Sequence, residues 1–114
     1  MKRFQLTFIL GAAALALGTL APAHAAVEAD AAQAAFKKNQ CTKCHAVDKD
    51  KKGPSLKKIA AKYKGKADGE DKVIKSMTTN PKVKLEDGSE EEHKAIDTKD
   101  PKDLKNIAGW ILAQ

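Results

Sequence analysis

The sequence is short of the residues that build large cores. Of 114 residues, 4% are aromatic, and there are one Trp, one Tyr and three Phe. Two of those Phe, Phe4 and Phe8, lie at the very start, which leaves Phe36, Tyr63 and Trp110 for the rest of the chain. Only two cysteines are present, which excludes a multiply cross-linked scaffold. Arginine occurs once, at Arg3, and every other basic residue is Lys. No alternating apolar/polar strand pattern and no internal repeat is visible. Past Leu20 no apolar run approaches the ~20 residues that a spanning helix needs. These absences exclude a large enzyme, a multidomain receptor or a membrane transporter. A chain this small commonly needs a metal, a disulfide or a cofactor to complete its core.

The segment 1–25 reads as a removable leader. Lys2 and Arg3 form a positive start, Leu6 to Leu20 an apolar stretch, and Ala23-His24-Ala25 a small-residue cleavage site. The expected organisation is a cleaved secretory signal over 1–25 and one domain over 26–114, in the periplasm and without stable membrane insertion. An uncleaved leader serving as an anchor is the rival. Residues 26–114 carry 19 lysines against 15 acids, a net +4.

The periodicity of this domain is helical. Residues 28–39 form an Ala-rich segment around Phe36. Ser55 is a cap candidate ahead of Leu56, Ile59, Ala60 and Tyr63, one helical stripe. Asp68 is a cap candidate for a third helix, with Val73, Ile74 and Met77 inward and Asn80-Pro81 as its stop. Asp100-Pro101 opens a last helix carrying Leu104, Ile107, Ala108, Ile111 and Leu112. Between them, residues 82–99 show no sustained period, with a turn at Asp87-Gly88. The expected class is all-α, with three to five short helices.

Chemistry concentrates at Cys41-Thr42-Lys43-Cys44-His45, a C-x-x-C-H pentapeptide, the pattern of c-type haem attachment. The two thiols add across the two haem vinyl groups, and the adjacent His45 sits beneath the iron. Two other uses of the pair stay open. A thioredoxin-like dithiol wants a βαβ context that this sequence lacks. A zinc site using both cysteines and two histidines has a different spacing.

From the Ala-rich first helix with Phe36, through CTKCHAVDKDKKGPSLKKIAAKYKG, to KNIAGWILAQ, the chain resembles the small bacterial class I cytochromes c. The resemblance spans nearly all of residues 26–114 and is weakest over 82–99. It implies the class I fold around one covalent haem c, and single-electron transfer between larger redox proteins without catalysis. It also implies that Pro54 accepts a hydrogen bond from His45 through its carbonyl, that Phe36 packs where the first and last helices cross, that Gly109 permits close approach there, and that Trp110 lines the haem pocket. Family members usually supply a Met as sixth ligand from the loop before the last helix, at a set distance ahead of its aromatic residue. Here His93 stands at that distance ahead of Trp110, and Met77 stands much further ahead, inside the third helical pattern. The resemblance therefore implies His45 and His93 as iron ligands, with Met77 in a packing position of the haem pocket. Met77 as ligand, and an open sixth site, are the alternatives. The open site would make the protein a binder of small gases or a peroxide-reactive haem protein.

Charge divides along the chain. Residues 26–66 hold 11 lysines against 4 acids, and residues 67–114 hold 8 against 11. The basic half contains the attachment segment, with Lys43, Lys49, Lys51, Lys52, Lys57 and Lys58. Acidic redox partners docking at this Lys-rich haem edge are expected, as is a monomer. A merely solvated face is the alternative. Nucleic acid is not an expected partner.

Overall fold

The computed structural model describes residues 26–114, with Gly18 alone before them. The leader expected over 1–25 lies, Gly18 apart, outside the described residues. Four helices carry the fold: α1 (Ala29–Lys38), α2 (Leu56–Tyr63), α3 (Gly69–Thr78) and α4 (Pro101–Leu112). A single 3-10 turn over Cys41–Lys43 follows α1.

Local chemistry explains most of the helix ends. Ser55 Oγ accepts the Lys58 amide at 3.2 Å, and Asp100 Oδ1 accepts the Lys102 amide at 2.9 Å. Each satisfies one of the orphan amides of a first turn. Pro101 occupies the start of α4, where a missing N–H costs nothing. The cap expected at Asp68 is different. Its side chain makes no capping bond and instead pairs with Lys72 at 2.8 Å, one turn into α3.

Helix α4 is the centre of the packing, in contact with α1, α2 and α3. Its Leu104, Ile107, Ala108, Trp110 and Ile111 are buried against Ala32 and Phe36 of α1, Leu56 of α2 and Val73 of α3. Leu56 and Ile107 are each only 1% exposed, so each contributes about 1.5–3 kcal/mol through burial. The Phe36 and Trp110 rings meet edge to face with centroids 5.5 Å apart, where α1 approaches α4. Gly109 also permits a close approach, but its neighbour lies just ahead of α1: a Cβ there would stand 3.0 Å from Val27 Cγ2.

The stretch expected to be irregular contains a small antiparallel hairpin. Strand β1 (Lys82–Lys84) pairs with β2 (Glu90–Glu92), in the register Lys82 with Glu92, Val83 with Glu91 and Lys84 with Glu90. Two of the three pairs oppose Lys to Glu, an arrangement that stabilises neighbouring strands. Three-residue strands that set charged side chains opposite one another rather than sharing an apolar face carry no readable period. The turn at Asp87-Gly88 is present: Gly88 has φ +84°, and Asp87 Oδ1 accepts the Ser89 amide at 2.9 Å.

A buried Asn fixes the run from this hairpin into α4. Asn39, 5% exposed, donates through Nδ2 to the Ala35 carbonyl at 2.9 Å and accepts the Asp97 amide at 3.0 Å. Ile96, next to Asp97 in sequence, is buried, and its amide donates to the Met77 carbonyl at 2.7 Å.

Candidate functional site

The cysteines sit on the 3-10 turn that follows α1. Gln40, the residue before that turn, has φ +60°, a left-handed conformation that costs a non-Gly residue about 1–2 kcal/mol. Both thiols are free and half-buried. The amides of Cys44 and His45 both donate to the Cys41 carbonyl, at 3.1 and 3.0 Å, which brings the pentapeptide round in one tight turn. Lys51 donates from its ammonium to the Thr42 carbonyl and closes that turn from outside.

The next loop orients His45. Its Nδ1 donates to the Pro54 carbonyl at 2.6 Å. A carbonyl can only accept, so Nδ1 carries the proton and Nε2 keeps its lone pair. This is the usual way a protein fixes the tautomer and raises the basicity of a metal-bound imidazole. The loop is itself pinned. The Gly53 amide donates to the Cys44 carbonyl at 2.9 Å, and Asp50 Oδ1 accepts the Ser55 amide at 2.8 Å. Asp50 also pairs with Lys58. A Cβ on Gly53 would stand 2.8 Å from His45 Cε1 and 3.3 Å from the Cys44 carbonyl oxygen, so only glycine fits under the ring.

His93 follows β2 directly and faces His45. The two ring centroids are 6.2 Å apart with planes tilted by 44°. One metal ion between two imidazole nitrogens at about 2.0–2.1 Å, with about 1.1 Å from nitrogen to ring centre, sets centroids about 6.2–6.4 Å apart. Burial, and to a lesser degree His45, pushes the His93 pKa below the usual imidazole range. That favours the neutral form, the form that binds a metal. Its Nδ1 is buried and has no hydrogen-bond partner. Buried polar atoms in that state are rare and commonly mark a missing ligand or ion.

Met77 lies elsewhere in the arrangement. It is half-buried on α3 and packs against the apolar core. Trp110 is 8% exposed and, with Phe36, Leu56, Val47 and His45, lines an open, mostly apolar cleft of about 340 Å³. The His45 and Phe36 ring centroids are 6.4 Å apart.

Two rival chemistries find no support. Burial pushes the Cys41 thiol up, opposite to the lowered value of a redox dithiol. Among the described residues no three His, Cys, Asp or Glu side chains gather as a metal site. The donor set fits a haem instead. It offers two thiols for attachment, one imidazole with its tautomer fixed, and a second imidazole across the gap.

Several residues of this site were not readable in the sequence. Asp50 and Lys58 hold the loop beneath His45. Asn80 donates through its side-chain amide to the His93 carbonyl at 3.0 Å. Lys52 joins that loop to the hairpin, its carbonyl accepting the Glu86 amide at 3.3 Å. The only sequence signal was indirect: a Pro-ended helix before a long, aperiodic and charged stretch.

A helical shell around a C-x-x-C-H turn, with an imidazole anchored to a Pro carbonyl, defines a c-type haem protein. Residues 29–114 match the family described as Cytochrome c, and the chain belongs to that family, as a small class I c-type cytochrome. Cytochrome c-551 of Pseudomonas denitrificans is 32% identical over 81 residues, which is 68% of this chain and 89% of that protein. The crystal structure of Class 1 cytochrome MtoD from Sideroxydans lithotrophicus ES-1 superposes with a TM-score of 0.73 at 53% identity, over 77% of this chain and 97% of that one. Nitrosomonas europaea cytochrome c552 superposes with a TM-score of 0.55 at 31% identity, over 70% of this chain and 95% of that one. The protein is therefore an electron carrier, not an enzyme, and it uses covalent c-type haem to serve redox partners.

The haem, when bound, supplies the one-electron chemistry. Cys41 and Cys44 are the residues that would hold it covalently. The Pro54 carbonyl holds the proton on His45 Nδ1, and the apolar side chains of Phe36, Leu56 and Trp110 line the cleft beside the ring.

Proposed function

We propose that residues 26–114 form a periplasmic shuttle for single electrons, carrying one haem c ligated by His45 and His93. The observation that carries the reading is the 6.2 Å separation of the two imidazoles, matched to a single metal ion between them. The unpartnered, buried Nδ1 of His93 and its lowered pKa support it. Met77, on α3 among core side chains, serves as packing rather than as ligand. Axial Met raises haem potential, so a ligand pair of two imidazoles gives a potential below that of a His/Met relative. With both axial positions filled, no site is left for a gas or peroxide.

The leader pattern over residues 1–25 supports export, and covalent haem attachment suits that compartment. No helix among the described residues is long and apolar enough to cross a membrane. Acidic partners fit the lysines around the attachment turn. Lys43, Lys49, Lys51, Lys52, Lys57 and Lys58 are all exposed. Lys57 and Lys58 are paired with Asp48 and Asp50, and Lys51 is tied to the Thr42 carbonyl. Lys52 is paired with Glu91 at 4.0 Å, and the neutral Thr42 carbonyl leaves the Lys51 charge intact, so the charge available for steering a partner centres on Lys43, Lys49 and Lys51.

Electron paramagnetic resonance and near-infrared spectra of the ferric holoprotein test the ligands. A low-spin bis-imidazole signature is expected. A sulfur-to-iron charge-transfer band would transfer the role to Met77, and a high-spin signal would open the sixth site.

A further inference from the structure

His93 stands at the end of a hairpin whose strands are only Lys82–Lys84 and Glu90–Glu92. A pair this short has little stability of its own. Something else must hold the His93 backbone still. Its amide donates to the Pro81 carbonyl at 2.8 Å, and its carbonyl accepts from Asn80 Nδ2 at 3.0 Å. Both main-chain polar groups of His93 are thus gripped by one dipeptide at the end of α3. Pro81 has a fixed φ, which helps hold its accepting carbonyl in place. Asn80 is exposed and lies outside the apolar core, and it is not the residue that caps α3. Its amide reaches well along the chain to this one carbonyl.

We propose that Asn80 is a positioning residue for the distal haem ligand, a clamp that keeps His93 facing His45 and slows its replacement by outside ligands. This rests on the reading of His93 as the sixth ligand. Release of His93 requires the hairpin end to swing from α3, and the Asn80 bond opposes that swing. Removing one partly exposed hydrogen bond shifts such an equilibrium by roughly 2- to 12-fold.

Cyanide binding to the ferric holoprotein measures the effect, because cyanide must displace His93. Asn80→Asp keeps the shape and removes the donor; Asn80→Ala removes both without adding charge. Both variants should bind cyanide roughly 2- to 12-fold more tightly than the unmodified protein. Asp100→Ala is the control. It removes the α4 cap, weakens the whole fold, and should leave cyanide affinity unchanged.

Four outcomes separate the readings. Tighter binding by both Asn80 variants, with the control unchanged, supports the clamp. Unchanged affinity in both Asn80 variants, with a bis-imidazole signal in the unmodified protein, overturns the clamp alone. Equal tightening by Asp100→Ala also overturns it, since general stability would then explain the effect. If the unmodified protein lacks the bis-imidazole signal, the ligand reading fails and the clamp fails with it.

Discussion

Gly53→Ala tests how the proximal side of the site is built. The new Cβ would stand 2.8 Å from His45 Cε1 and 3.3 Å from both His45 Nδ1 and the Cys44 carbonyl oxygen. Comfortable carbon contacts are about 3.5–4.0 Å, so ring or loop must move by about 0.7–1.2 Å. Neither moves freely. The ring is tied to the Pro54 carbonyl at 2.6 Å, and the Gly53 amide to the Cys44 carbonyl at 2.9 Å. A shift of that size along the bond stretches it to about 3.3–3.8 Å, beyond the usual range, and weakens or breaks it. Overpacking of this kind costs about 1–3 kcal/mol. In a domain of this size that lowers Tm by roughly 4–24 °C. A second consequence is electronic. Without the carbonyl on Nδ1–H, His45 is a weaker donor to ferric iron, so the potential rises. If the whole hydrogen bond of about 0.5–1.5 kcal/mol were lost from one state only, the rise would be about 20–65 mV. Thermal unfolding and equilibrium redox titration of the holoprotein read both effects. A Gly53→Ala protein with unchanged Tm and unchanged potential would show that the ring is not confined as described.

The distal side and the supporting loop give two further predictions. His93→Met should keep a six-coordinate haem and raise the potential, while His93→Ala should let the reduced protein bind carbon monoxide; carbon monoxide binding by the unmodified protein as readily as by His93→Ala would refute His93 as ligand. Lys58, followed by the Ser55 amide, lowers the Asp50 pKa, so the stability Asp50 contributes is present above the ordinary carboxylate value of about 3.9 and is lost as pH falls through the lowered value. Unfolding of Asp50→Asn, followed against pH, should therefore show stability falling less steeply below about pH 4 than in the unmodified protein, and parallel curves would count against the Asp50–Lys58–Ser55 arrangement.

Much of this architecture is legible in the residues alone. The four helical stripes, the caps at Ser55 and Asp100 and the turn at Asp87-Gly88 follow from periodicity and from turn chemistry, which are local. Asp68 was misread because a capping residue one turn before a Lys has a second local partner, and Lys72 won. The β1–β2 pairing was invisible because its strands oppose charges instead of sharing an apolar face. Gly109 was correctly read as a place of close approach, yet its neighbour Val27 comes from the opposite end of the domain, beyond any spacing rule.

The site divides in the same way. Cysteine spacing and the adjacent His45 state the haem chemistry outright, because two thiols and an imidazole on one turn depend only on residues next to one another. That His93 faces His45 is a different kind of fact. The two are far apart in the chain, and their 6.2 Å separation depends on α3, the hairpin and the loop through Lys52 all closing together. So does the grip of Asn80 on the His93 carbonyl. Neighbouring residues thus state what is attached and where. The family resemblance pointed to His93 through its distance ahead of Trp110, but that it stands opposite His45, and how firmly it is held, comes from the folded chain, because both depend on long-range contacts that no local pattern encodes.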